Sequence, residues 1–200
     1  MNSSPIPDLT PLQRRKRSAI LDGAEAVFLR EGFSLATMDD VAAAAGVGKQ
    51  TVYRHFKSKE ALFVGLVVSK CVQFGEVVSA RSESSDGSPE AVLRELGWSL
   101  ARNLITPDKL RLYRAVVAEA ERFPELGKVF YEHGAKPVRA FAAEILRQRF
   151  DKKTAAIRAS TFVQIVLGDT HLELTLGYEV PDVEARLAAQ IEEALEAALR

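Results

Sequence analysis

Between Gly46 and Lys59 the chain places Lys49, Arg54, Lys57 and Lys59 without one acidic residue, and interleaves Tyr53 and His55 among them. These are hydrogen-bond donors of the kind that hold phosphate oxygens, contacts that position a protein on a duplex without reading its sequence. Lys49 and Gln50 stand together at the front of this run. Lysine can donate to guanine, and glutamine can pair bidentately with adenine. A second basic cluster, Arg14-Arg15-Lys16-Arg17, can follow the backbone or enter an adjacent minor groove.

Other chemistries fail on spacing. Gly46-Val47-Gly48-Lys49-Gln50-Thr51 superficially suggests a phosphate loop. It lacks the upstream glycine, and Gln50 stands where a hydroxyl should hold magnesium. Gly97-Trp98-Ser99-Leu100-Ala101 lacks the fifth-position glycine and the preceding strand of a nucleophile elbow. Asp169, His171 and Glu173 are two apart on a helix and point to different faces, and His133 is isolated. No metal site and no cofactor are expected. An enzyme built on His133, His171 and nearby carboxylates would need a convergence that the spacing does not provide. Cys71, the single cysteine, lies in an apolar run with Val67, Val68 and Val72 and reads as a packing residue.

The elements that must position the basic run read as helices throughout; strand-like alternation is absent. Thr10-Pro11 starts a first helix that runs to about Glu31, with Gly32 as its stop. Thr37 caps a second short helix with acids in its first turn, ending near Ala45. Gly46-Val47-Gly48 breaks it, and a third helix spans about Lys49 to Phe56. Two short helices about a glycine-containing turn make a helix-turn-helix unit, whose second helix can enter a major groove. Val41, Ala42, Ala45, Val47, Val52 and Phe56 anchor it and leave Lys49, Gln50, Tyr53 and Arg54 outside. Ser58 caps a fourth helix running towards Ala80, and residues 81–89 read as a loop. Helices follow at about 89–105, 108–122, 124–150, 152–177 and 182–199, with a kink or break expected at Pro137.

Composition bounds the class. Hydrophobic residues make up 47% of 200, enough for a sizeable core. Equal counts of basic and acidic residues, 27 each, exclude a wholly cationic coat and leave room for a local basic face. No apolar run approaching the roughly 18 residues of a membrane span is expected, and the polar N-terminus lacks the apolar region of a secretory signal. A soluble cytoplasmic protein is expected. Residues 1–9 read as a disordered arm, residues 10–58 as a DNA-binding domain, and residues 59–200 as a helical regulatory and dimerisation domain.

Residues 14–63 resemble the DNA-binding domain of the TetR family of transcriptional regulators. The matching pieces are RRKRSAILDGAEAVFLREGF, T-x-x-D-V-A-x-x-A-G-V and T-V-Y-R-H-F-K-S-K-E-A-L-F. The resemblance implies phosphate contacts from Thr37, Thr51, Tyr53, His55 and Lys59, and base contacts from Lys49, Gln50 and Tyr53. Arg14 and Arg54 join the expected DNA-binding set. Gly48 joins it as the cap of the recognition helix, where many relatives carry serine; glycine serves there at small loss. The segment AEAERFPELGKVFYEHG resembles AefR- and AcrR-type members.

The resemblance further implies an all-α protein: a three-helix helix-turn-helix domain followed by a helical ligand-binding domain that dimerises through its last two helices. The expected function is a repressor that binds a palindromic operator as a homodimer and is released by a small-molecule effector. Trp98, Arg102, Tyr113, Phe141 and Phe162 are the expected ligand-binding residues; as plain core they would serve equally well. A DNA-binding protein without an effector is the rival reading, and it predicts a filled C-terminal domain.

Overall fold

The computed structural model describes residues 9–83 and 87–200. Among them every regular element is helical. The expected N-terminal arm lies, apart from Leu9, outside the described residues. The chain divides between Val67 and Val68 into two compact units.

The first unit opens with α1 (Pro11–Glu31). Thr10 and Gln13 form a reciprocal capping box: the Gln13 N–H donates to the Thr10 hydroxyl, and the Thr10 N–H donates to the Gln13 side chain. Ile20, Ala24, Val27 and Phe28 are buried along one face. Next come α2 (Met38–Ala44), α3 (Lys49–His55) and the first turns of α4 (Lys59–Glu83). Gly46 turns the chain between α2 and α3 with φ of 63°, a conformation that glycine adopts without a steric penalty. The core is aromatic: Phe33 stacks on Phe63 with centroids 4.8 Å apart, and Phe28 meets both edge-on.

The stretch Lys59–Val78 of α4 is long and apolar enough to cross a membrane by length and composition, which corrects the expectation that no such run exists. Polar residues such as Lys70, Gln73 and Glu76 interrupt it, so a search for unbroken apolar runs passes over the stretch. Leu62, Phe63, Leu66 and Val67 of this stretch are buried against protein. The helix also passes the expected end at Ala80 and continues to Glu83; the rest of the expected loop, 84–86, lies outside the described residues.

The second unit contains α5 (Pro89–Leu104), α6 (Pro107–Glu119), α7 (Pro124–Phe130), α8 (Lys136–Leu146), α9 (Lys152–Leu176) and α10 (Val183–Leu199). Its core is formed by Leu93, Leu96 and Leu100 of α5, Ala142 and Leu146 of α8, Ala159, Phe162 and Val166 of α9, and Ile191 and Leu195 of α10. The α-helical run expected over 124–150 is interrupted just before Pro137, which stands in the first turn of α8. A π-helical segment, Tyr131–Ala135, joins α7 to α8, and the Lys136 N–H donates five residues back to Tyr131 O. Proline removes one N–H and crowds the carbonyl four residues earlier; a wider turn just before it relieves that crowding.

The expected single helix 152–177 is interrupted. Gly168 has φ 39° and ψ −156°, outside helical space. A Cβ there would lie 2.0 Å from Gln190 Nε2, so the side chain of α10 occupies the room that a larger residue would need. Arg114 of α6 seals the far end of α9 by donating to Leu174 O and Thr175 O, each at 2.6 Å.

Candidate nucleic-acid interface

Helix α3 is split as its sequence demands. Val52 is fully buried and Phe56, just past its end, nearly so. Lys49, Gln50, Tyr53 and Arg54 are exposed, while Thr51 and His55 are half-buried. Packing therefore fixes the helix through one face and leaves the other for contact. Gly48 is the N-cap and supplies no side-chain hydrogen bond, so the amino end of α3 is not sealed by its own cap.

Three of the expected contact residues, Thr37, Lys59 and Lys49, already have intramolecular work. Thr37 accepts from the Asp40 N–H at 3.2 Å while its own N–H donates to Asp40 Oδ2 at 3.0 Å. The Thr37 hydroxyl also donates to Asp40 Oδ2, and this bond first, then the one from the Thr37 N–H, holds the Asp40 carboxyl below its ordinary range; together the bonds start α2. Lys59 sends its ammonium to three carbonyls in the α1–α2 connection: Phe33 O at 2.7 Å, Ser34 O at 3.0 Å and Ala36 O at 2.9 Å. Its charge also lies 4.7 Å from the Phe33 ring centre. An ammonium has three N–H donors, and this geometry engages them with the protein itself.

Lys49 carries a different partner, Asp39 Oδ2 at 2.9 Å, and this bond raises the lysine above its usual range. Both side chains remain largely in solvent. The pairing was not foreseen in the sequence, although an acid two residues after the α2 cap is the signal for it. Arg14 and Arg15 are exposed at the front of α1, but Lys16 and Arg17 are half-buried. Arg17 stacks over the Phe56 ring at 4.4 Å, a cation–π contact that ties α1 to the end of α3. Burial lowers its affinity for the proton somewhat. His55 is held below its ordinary value, first by burial and then by Arg54, Arg17 and Lys16. Behind burial, the cations that add to the shift come from α1 and α3 together.

The residues expected to bind a ligand do not form one cluster. Phe162 is fully buried in the core, where Gly97 and Ile191 pack closely. Phe141 is half-buried against the same core. Tyr113 sits with Phe130 and His171, at 5.8 and 5.1 Å between ring centres. Trp98 and Arg102 do meet: the guanidinium lies 4.3 Å over the indole. Of the five, only Arg102 lines a groove of about 370 Å³, together with residues of α4, α5 and α6. Burial pushes the Cys71 thiol up to about 11, so it stays protonated and unreactive at neutral pH. No group of three or more histidine, cysteine or acidic side chains able to hold a metal occurs among the described residues.

A short helix fixed through Val52 and Phe56, with a donor-rich outer face and a glycine turn before it, defines a helix-turn-helix DNA-binding module. Comparison with known proteins gives the same class and narrows it. Residues 20–66 match the bacterial regulatory proteins of the TetR family, and residues 91–200 match the C-terminal domain of AefR-like transcriptional repressors. The chain belongs to the TetR family of transcriptional regulators; it is not an enzyme.

Among curated relatives, the HTH-type transcriptional regulator AcrR of Shigella flexneri is 31% identical over 101 residues, 50% of this chain and 47% of that protein. The chain thus matches about half the length of that relative. A TetR-family regulator of Mesorhizobium loti is 27% identical with a TM-score of 0.77, covering 96% of this chain and 98% of its own. The flavonoid-responsive regulator FrrA is 30% identical with a TM-score of 0.64, covering 92% and 97%.

Proposed function

We propose that this protein is a ligand-responsive repressor that binds a palindromic operator as a homodimer and is released by a small-molecule effector. The observation that carries the reading is the outer face of α3. Lys49, Gln50, Tyr53 and Arg54 are exposed on a helix whose other face is locked by Val52 and Phe56. Lys49, Gln50 and Tyr53 read base edges. Arg14, Thr51, Arg54 and His55, with the Thr37 and Gly48 caps, face phosphates. Lys59 acts one step back, holding the α1–α2 connection that carries Thr37.

Dimerisation is supported by α9, which leaves Ile157, Leu172 and Leu176 more than half exposed; apolar helix faces of this kind pair across a two-fold axis. Response to a small molecule is supported by the groove in the second unit and by the relative described as flavonoid-responsive. In the switch, an effector favours a dimer spacing that does not fit the operator. It shifts the population only by its unequal affinity for the two spacings.

Selection from a random DNA pool tests the reading. A palindromic consensus is expected, and Gln50→Ala should relax preference at one position of each half-site by about 1–3 kcal/mol. Recovery of no consensus, or equal losses on selected and random DNA, refutes it.

A further inference from the structure

We propose that the groove bounded by α4, α5 and α6 takes a small amphipathic organic anion, a carboxylate carried on an apolar body. The inference rests on the ligand-responsive reading and names the chemistry of the effector. The groove is lined by Lys70, Arg102 and Lys109 beside Phe74 and Val77, and no acidic side chain lines it. Its volume of about 370 Å³ falls within the range of small-molecule sites. Three cations and no acid, together with an aromatic and a branched aliphatic side chain in the same lining, complement a molecule with one charged end.

Two further features point the same way. Ser99, 6% exposed, lines the groove with a hydroxyl that has no hydrogen-bond partner. A serine inside a helix ordinarily returns its hydroxyl to the carbonyl four residues back; here that bond is absent, and a buried hydroxyl left unpaired is costly. A carboxylate oxygen would accept from it. Lys109 sits in the first turn of α6, at the end where the helix dipole is positive and a cation is disfavoured. The Thr106 cap does not seal that end, since its hydroxyl donates instead to Asn103 O at 3.3 Å. Asp108 in the same turn, paired with Arg111, offsets part of that field, and an anion in the groove would offset more.

Arg102 links the site to a signal. It stacks on Trp98 at 4.3 Å and reaches Glu184 of α10 at 3.4 Å. Both partners of that ion pair are largely exposed, and exposed pairs are weak. An anion in the groove draws Arg102 inward, loosens its hold on Glu184 and changes the surroundings of the only tryptophan.

The test uses the full chain without DNA. Decanoate and 4-phenylbutyrate are titrated against decanol and 4-phenylbutanol, with Trp98 fluorescence and melting temperature as readouts. The carboxylates should bind at least tenfold more tightly than their alcohols. Lys109→Gln and Arg102→Gln should each cut that preference about fivefold or more, and Ser99→Ala should weaken the carboxylates while sparing the alcohols. Because Arg102→Gln itself alters the indole's surroundings, its affinities are read from melting. Equal binding of alcohol and acid, no binding of either acid below 1 mM, or a preference that survives Lys109→Gln overturns the proposal. Operator binding is measured separately on effector-free protein, so failure of the anion site and failure of the regulator reading are distinct results.

Discussion

Replacing Lys59 separates a structural ammonium from a phosphate contact. The ammonium joins Phe33 O, Ser34 O and Ala36 O within 2.7–3.0 Å. Hydrogen bonds involving a charged group contribute about 1.5–3 kcal/mol each. Water replaces part of that in the variant, because the Ser34 bond is exposed, while the Phe33 and Ala36 bonds are partly buried. Lys59→Met keeps the apolar stem beside the Phe33 ring and removes the donors and the charge over that ring. The net loss expected is about 2–3 kcal/mol, which in a unit of this size lowers Tm by roughly 10–20 °C. Calorimetry on the whole protein and urea unfolding by circular dichroism should show the loss in the transition of the first unit. Salt titration of operator binding supplies the second measurement. A lysine on a phosphate contributes about 0.9 to the slope of log K against log salt, whereas Lys59 held on three carbonyls contributes none. A Lys59→Met protein that melts like the wild type while its salt slope falls by about 0.9 refutes the reasoning.

Gly168→Ala should destabilise the second unit by about 2 kcal/mol or more, since φ of 39° disfavours a side chain and the new Cβ would strike the Gln190 amide; pairing it with Gln190→Ala should recover only the steric part, measured by thermal unfolding. Leu172→Glu combined with Leu176→Glu, both on the exposed face of α9, should yield a folded monomer in sedimentation, and an intact dimer would place the interface elsewhere. His171 is held below its ordinary value by burial, and His55 by burial and neighbouring cations. Each contributes stability that is complete above the unfolded value of about 6.5 and is lost as pH falls below it. The urea midpoint should therefore drop from pH 7.5 to 5.5, and His171→Leu should remove part of that drop; an unchanged drop would discount the buried imidazole.

The helical punctuation was legible because it rests on local chemistry. Thr10, Thr37 and Ser58 each cap the helix that follows, as hydroxyls at those positions should. The inner and outer faces of α3 follow from the period of Val52 and Phe56. What stayed hidden depends on partners distant in sequence. Lys59 reads as one more cation in a basic run until the carbonyls of residues 33–36 are seen beneath it. Arg17 belongs to a cluster of four basic residues, and nothing local distinguishes the one that stacks on Phe56. Gly168 follows the apolar run Ile165-Val166-Leu167 and shows no break in the sequence, and the Gln190 amide that fills the room beside it is on another helix. The five aromatic and basic residues expected around a ligand scatter for the same reason: composition selects residue types that suit a pocket, while topology decides which of them meet. Only Arg102 falls on the groove, and Lys70, Ser99 and Lys109 carry no local mark that would have found them.

The bond between Asp39 and Lys49 bears on how such a protein would search a chromosome. Both side chains are largely exposed, so the pair is weak; a lysine that must leave Asp39 gains slightly less from an arbitrary phosphate, and each stop on unrelated sequence is slightly shorter. Release from Asp39 is repaid where a base edge offers acceptors in the right place, and the exchange then slows departure. Replacing Asp39 with asparagine should lengthen dwell times on random DNA more than on the operator, so that the protein grips harder everywhere and finds its target more slowly. An acid at the start of α2 thereby trims the hold of the recognition helix on unrelated sequence.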